Sequence, residues 1–319
     1  MSSAGPWADL ARPPLRGAAL RSALVRPAGP LGRLEVEAVL DSTSTALAER
    51  ARAEPGAWPD LSVLVAEHQV QGRGRRGRSF TTAPRAALTA SVLLRAPAGS
   101  APSLPWLPLL TGLAVVEVLR RRAGLQAVLK WPNDVLVPPP PRPASAPASA
   151  ADAPAASAPA KVCGVLAEVL PPGAPAPDEG PVVVVGIGLN VDARADELPA
   201  AGATSLRLAG AATTDRDVLL RALLRRLAEH WQRWGAAAAG GGPLPSGLTD
   251  PVREVCSTLG ERVRVELPGG AACEGVAESL DASGALVVRT ADGPRAVTAG
   301  DVVHLRPAGG APAPDGGRG

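Results

Sequence analysis

Two lysines and two asparagines carry information in this 319-residue chain, because Ala, Gly, Pro and Arg dominate it and arginine could serve wherever any cation would do. Lys130 and Asn133 fall together in Lys130-Trp-Pro-Asn-Asp134, Lys161 opens Lys161-Val-Cys-Gly-Val-Leu-Ala-Glu168, and Asn190 ends Gly186-Ile-Gly-Leu-Asn190. Upstream, Gly72-Arg-Gly-Arg-Arg-Gly-Arg78 places four arginines in seven residues. Guanidinium donors match phosphate and carboxylate oxygens in a bidentate fork, and the glycines let backbone approach a ligand closely. A lysine is a point charge on a flexible stem, so Lys161 could reach a carboxylate or an α-phosphate and follow it during reaction. Each piece alone also has a plainer reading. The arginine run would serve as a solvated basic turn, Asn133 and Asp134 as caps of local amides, Lys161 as a solvent-facing strand residue, and Gly186 to Asn190 as a close strand-turn. The loop has no Gly-Lys-Ser/Thr of a Walker A site, and no apolar-periodic helix follows it as a dinucleotide fingerprint requires.

The elements that must position these pieces are legible from periodicity. Leu34 to Leu40 alternates like a strand, and Asp41-Ser-Thr-Ser-Thr supplies capping side chains for a short helix ending before Pro55. Strand-like runs follow at Leu61 to Ala66, Ala87 to Leu94, Gln126 to Lys130, Val162 to Leu170 and Val182 to Val185. Leu107 to Arg122 keeps apolar residues on one helical face. Asp215 to Trp234 puts Leu220, Leu224, Leu227, Trp231 and Trp234 on one stripe, with Thr214 and Asp217 as its capping pair. After a flexible Gly235 to Gly247 segment, short alternating runs at Arg262 to Leu267, Ala285 to Thr290 and Asp301 to Leu305 indicate a small appended β-barrel.

Composition bounds the setting. The formal charge of +3 comes from arginine spread along the chain, which permits nucleic-acid binding without implying it. Three cysteines without a CxxC pair argue against a disulfide framework or a zinc site, and fit a reduced cytoplasm. No apolar run is long enough to span a membrane. Residues 1–32 are Pro-, Ala- and Arg-rich and read as a disordered leader; their prolines spoil the amphipathic helix of a transit peptide. Residues 138–160, almost wholly Pro, Ala and Ser, read as a disordered insertion in a hairpin, and 308–319 as a disordered tail. The expected organisation is a catalytic domain over 33–250 and a C-terminal domain over 251–307.

Taken together, Asp41-Ser-Thr-Ser, the stretch from Ala66 through Gln69 to Arg78, Lys130 to Asp134, Lys161 to Glu168 and Gly186 to Asn190 resemble the motifs of biotin–protein ligases in order, over roughly residues 34 to 306. The resemblance implies an α+β fold: a mixed sheet with flanking helices like that of class II aminoacyl-tRNA synthetases, followed by an SH3-like β-barrel. It implies ATP and biotin as substrates, Mg²⁺, and a product biotinyl-5'-AMP whose biotin passes to a lysine of the biotin carboxyl carrier domain of an acyl-CoA carboxylase. Residue by residue, Ser42, Thr43, Ser44 and Gln69 would hold the biotin head. Arg73, Gly74 and Arg75 would close over biotin and the adenylate with Arg76 in support, and Lys161 would contact the reacting carboxylate and phosphate. Lys130, Asn133, Asp134 and Asn190 would line the nucleotide side, Asp134 facing the metal. Where the family usually has Trp, this chain has Phe80, which weakens stacking on adenine.

The chemistry needs no protein nucleophile: biotin carboxylate attacks the α-phosphorus, pyrophosphate leaves, and an amine then attacks the mixed anhydride. Only forty residues precede Asp41, and they are Pro-rich, so a purely catalytic protein without a DNA-binding domain is expected, as a monomer or weak homodimer. A lipoate or octanoyl ligase is the nearest alternative, and it lacks the arginine loop with its preceding Gln. An arginine-loop RNA-binding module would interleave aromatics with its basic residues, whereas only Phe80 lies near this loop.

Overall fold

The computed structural model describes residues 12–139, 158–171, 180–198, 202–267, 270–298 and 300–304. Seven strands form one sheet: β1 (Arg33–Glu37), β2 (Ser62–Ala66), β3 (Ala87–Arg95), β4 (Val128–Lys130), β5 (Asp134–Val137), β6 (Ala160–Val169) and β7 (Val182–Asn190). Their spatial order is β1-β2-β3-β7-β6-β5-β4. β1 runs parallel to β2 and every other neighbouring pair is antiparallel, so the sheet is mixed. Helices α1 (Gly17–Leu24), α3 (Trp106–Val118) and α4 (Arg216–Ala238) join one hydrophobic core with Val63, Val65, Leu88, Ala90, Val92, Val185 and Ile187. Alternate residues of the same strands, Leu64, Leu93 and Val184, meet Leu47, Ala48 and Ala51 of α2 (Thr43–Ala53). This two-residue alternation places α2 on the opposite face from α1, α3 and α4. The helix covers only part of that face, and the functional cavity occupies what remains.

A second, antiparallel sheet of β8 (Arg262–Glu266), β9 (Ala272–Leu280), β10 (Leu286–Thr290), β11 (Gly293–Val297) and β12 (Asp301–His304) has the order β11-β10-β9-β8-β12. It is bound to the first unit through tryptophans. The Trp106 indole donates to the Ala282 carbonyl at 2.9 Å, the Trp131 indole to Gly284 at 3.1 Å, and the Trp131 amide to Thr258 Oγ1 at 3.0 Å. Both rings are almost fully buried, so each indole N–H needs such a partner.

Several expectations change. The segment read as a disordered leader is packed over its described part: α1 lies inside it with Leu20 and Leu24 wholly buried, and Arg12 is 5% exposed against Asp192 and Glu197. Leu15, Leu20, Leu24 and Leu31 supply the apolar area that the prolines obscured. Helix α3 is buried on nearly all sides rather than along one face, because α4 and a later helix over Ser246–Val255 cover what the sheet does not. α4 is capped by Asp215, whose carboxylate accepts from the Val218 amide, and not by Thr214. A further helix, α5 (Ser246–Val255), follows the glycine-rich segment and buries Leu248, Val252 and Val255. The expected insertion falls largely outside the described residues, although Ala160 is the first residue of β6, and the expected tail falls wholly outside them.

Candidate functional site: one cavity with a polar end and a cationic end

On the α2 face of the sheet lies a cavity of about 300 Å³, floored by β6 and β7, walled by the start of α2 and roofed by the arginine loop. The concavity comes from small residues on adjacent strands. A Cβ added at Gly186 would sit 2.6 Å from Ser44 Oγ, and one at Gly188 would sit 2.7 Å from the Phe80 ring. Both glycines belong to a continuous strand, which corrects the expected close turn at Gly186 to Asn190: they are there for space, not for a turn.

At one end the groups are buried and mutually hydrogen-bonded. Ser42 caps α2 by accepting from the Thr45 amide at 3.4 Å. Gln69 Oε1 accepts from the Thr43 amide at 2.7 Å and from its hydroxyl at 2.8 Å. Ser91 donates to Thr43 Oγ1 at 2.8 Å and lies 2.9 Å from Ser44 Oγ. Ser42, Thr43, Ser44, Gln69 and Ser91 are all buried, which fixes the rotamers of this cluster before any ligand arrives.

The other end is charged. Arg73 meets Glu168 at 3.0 Å. Arg75 donates to Asn133 Oδ1 at 3.1 Å and to the Gly300 carbonyl at 3.2 Å, and Arg78 meets the Asp301 carboxylate at 3.1 Å. Lys161 Nζ lies 2.6 Å from Asp134 Oδ1. Asn133 is held by β6, donating to Val165 O at 2.7 Å while the Val165 amide donates to its carbonyl at 2.9 Å. Asn190 donates to Thr204 O at 3.0 Å, and its Oδ1 is buried without a hydrogen-bond partner among the described residues. Such an orphaned acceptor in a cavity wall is suited to a ligand donor. Cys163 also lines the wall; burial pushes its thiol up to about 12, so it remains protonated and inert near neutral pH.

Of the residues singled out by sequence, Ser42, Thr43, Ser44, Gln69, Arg73, Gly74, Arg75, Asn133, Asp134, Lys161 and Asn190 all line this one cavity, as does Phe80. Lys130 does not line it: it pairs across the β4–β5 hairpin with Asp134, and burial lowers its pKa against the opposing pull of that carboxylate. Arg76 lies in the turn Arg75–Gly77, with its side chain outside the described residues. Sequence reading missed Ser91 and Asp301, and gave Arg78 no role beyond its place in the arginine loop. Thr89 and Ser91 are the only hydroxyls in the apolar run Ala87 to Leu94, a signal available without coordinates. Asp301 had no local signal.

Among the described residues no three His, Cys, Asp or Glu side chains gather as a metal cluster, and Asp134 is the single carboxylate in the cavity wall. That donor set suits a Mg²⁺ that arrives on nucleotide phosphates and keeps its waters, touching at most one protein carboxylate.

A mixed sheet with one half-covered face, a prebuilt polar pocket and an adjoining cluster of cations defines a protein that brings a small polar molecule to a phosphate-bearing one. The sequence matches the Biotin/lipoate A/B protein ligase family over residues 36–190 and the Biotin protein ligase C terminal domain over residues 258–305. It is 37% identical to the biotin--[acetyl-CoA-carboxylase] ligase of Mycobacterium tuberculosis, over 93% of this chain and 98% of that one. With the corresponding ligase of Paracoccus denitrificans the identity is 30%, over 83% of this chain and 98% of that one. Among solved structures, the biotin protein ligase from Aquifex aeolicus in complex with biotin and ATP is similar with a TM-score of 0.63 and 26% identity, covering 87% of this chain and 100% of that chain. The chain belongs to the biotin protein ligase family.

Proposed function

We propose that this protein is an ATP-dependent biotin–protein ligase, forming biotinyl-5'-AMP from biotin and ATP and transferring biotin to the lysine amine of a carboxylase's biotin carboxyl carrier domain. The observation that carries the reading is the pairing, within one 300 Å³ cavity, of a buried hydroxyl–amide cluster with a ring of cations. Biotin's urea head presents one acceptor and two donors to the Ser42, Thr43, Ser44 and Gln69 end, and its carboxylate points toward Lys161. There two anions must approach each other, and Arg73, Arg75 and Lys161 offset their repulsion in a site partly shielded from water. ATP-borne Mg²⁺ supplies charge neutralisation of the phosphates, with Asp134 and Asn133 on its side of the cavity. Gly74 lets the loop backbone pass close to the bound product, Arg76 supports the closure of that loop, and Lys130 adds positive potential to the nucleotide side without lining the cavity. Asn190 Oδ1 offers its acceptor to the nucleotide. A closed loop keeps water from the mixed anhydride until the carrier amine attacks.

On this reading the first unit is a catalytic domain related to class II aminoacyl-tRNA synthetases, and it includes Arg12 to Gly32. The C-terminal sheet is an SH3-like barrel. Among the described residues no helix is long and apolar enough to cross a membrane. The reading places the protein beside its carrier in the cytoplasm, as a monomer or weak dimer. The test is direct: incubation with ATP, Mg²⁺ and labelled biotin yields biotinyl-AMP and biotin-dependent ATP–pyrophosphate exchange. Absence of both overturns the proposal.

A further inference from the structure

The C-terminal sheet contacts two elements that border the cavity. On one side it is fixed to the turn that carries Asn133 and Asp134: besides the Trp131 contacts, the Ser257 amide donates to the Leu129 carbonyl at 2.8 Å. On the other side its edge strand β12 begins at Asp301, beneath the arginine loop. One Arg78 nitrogen lies 3.1 Å from both Asp301 oxygens, Arg75 lies 3.8 Å from Asp301 Oδ1, and Arg75 donates to the carbonyl of the preceding Gly300 at 3.2 Å. Two arginines of a glycine-rich loop that roofs the cavity are thus tied to an element which is itself anchored by a buried tryptophan.

We propose that Asp301 is a positioning residue: it latches the Arg75–Arg78 turn to the C-terminal sheet, so that this sheet governs how long the loop stays closed over the nucleotide end. The inference rests on the ligase reading above. Asp301 does not line the cavity and acts through the arginines. A glycine-rich loop has many open conformations, and an anchored acceptor at its far side reduces the entropy lost on each closure. Arg78 is 61% exposed and Asp301 29%, so the ion pair by itself contributes little to folding. Its effect falls on the balance between open and closed loop, which sets how fast a bound adenylate escapes.

The experiment uses the full chain with Asp301→Asn, Arg78→Gln, the double variant and Asp301→Glu, each checked for an unchanged Tm. Biotin-dependent exchange in the parent tests the ligase reading separately. Preformed biotinyl-AMP is then chased, and its release is expected to be about five-fold faster in Asp301→Asn, the scale of one exposed ion pair, with biotin affinity unchanged. The double variant should release no faster than Arg78→Gln alone, and Asp301→Glu should restore retention. A second readout needs no activity: trypsin should cut after Arg75 and Arg78 several-fold faster in Asp301→Asn than in the parent, by mass spectrometry. Equal release and equal cleavage in Asp301→Asn overturn the latch, as does an additive double variant. If exchange fails in the parent, the ligase reading falls and the cleavage rates alone decide whether Asp301 restrains the loop.

Discussion

The two ends of the cavity are built on opposite principles. At the polar end, Thr43 and Ser44 at a helix terminus, Ser91 on a central strand and Gln69 in the segment after β2 hydrogen-bond to one another and are buried. At the cationic end, Arg73, Arg78 and Lys161 are 55%, 61% and 38% exposed at the side chain, and each pairs with a carboxylate: Glu168, Asp301 or Asp134. A neutral ligand head gains most from donors and acceptors fixed in advance. Phosphates arrive charged and leave as a different ion, so cations that exchange one carboxylate partner for another can follow them. The contrast predicts that substitutions at the cationic end change the chemical step, and substitutions at the polar end change biotin affinity.

The largest effect is expected for Lys161→Ala. Removing a charge from where two anions meet should slow adenylate formation by about 10²–10³-fold, with biotin affinity nearly unchanged, as read by single-turnover kinetics. Lys161→Arg should not restore the rate, because a planar fork cannot track the phosphate as an ammonium on a flexible stem does. If Lys161→Ala instead weakened biotin and spared the rate, the division between the ends would be broken. Gly188→Val tests the floor. Its added carbons would begin 2.7 Å from the Phe80 ring, and overpacking of about 1–3 kcal/mol corresponds to roughly 5- to 150-fold weaker biotin binding by calorimetry. Phe80→Ala in the same chain should recover part of that loss.

Arg75→Ala sharpens the contrast at the roof. It removes the contacts to Asn133 and Gly300, and adenylate escape should rise by about 10-fold, with exposed lysines of bystander proteins becoming labelled. Ser91→Ala works at the opposite end and should be milder. Losing one buried hydrogen bond of about 1 kcal/mol weakens biotin by roughly five-fold and leaves the KM for ATP alone. A change in ATP rather than biotin would place the nucleotide, not the vitamin, against this cluster.

The polar end was more legible in sequence than the cationic end, and for a physical reason. Ser42, Thr43 and Ser44 lie in a run of capping residues, and Gln69 comes three residues after the end of the apolar strand β2, so local patterns mark them. The arginine loop announced its charge but not its partners, because Glu168 and Asp301 reach it from distant strands and long-range pairing leaves no local trace. Likewise the strap from Arg12 to Arg16 read as disordered by composition, yet Arg12 is buried against Asp192, which is 180 residues away, and Leu15 donates to Glu67 at 2.6 Å. Glycines 186 and 188 were read as turn formers since sequence shows their freedom and not the Ser44 and Phe80 atoms that demand their small size.

Cys163 gives no effect at neutral pH and bears on whether the core beneath the cavity floor is dry. Burial raises its thiol from the ordinary 9.0 to about 12, with Lys161 pulling weakly the other way. A group whose folded pKa lies above its unfolded value contributes stability that is complete below the unfolded value and is lost as pH rises through the folded one. Between about pH 9 and 12 the unfolded chain therefore gives up a proton that the folded chain keeps, and stability falls by up to about 1.4 kcal/mol per pH unit from this group. Cys256, also raised by burial, contributes in the same direction, so Cys163→Ala should remove part of the alkaline slope in urea melts and leave the rest. The cost of the smaller side chain is the same at every pH and cancels in the slope. An unaltered slope would mean that water reaches the thiol, and the two ends of the cavity would then differ less in solvation than in charge.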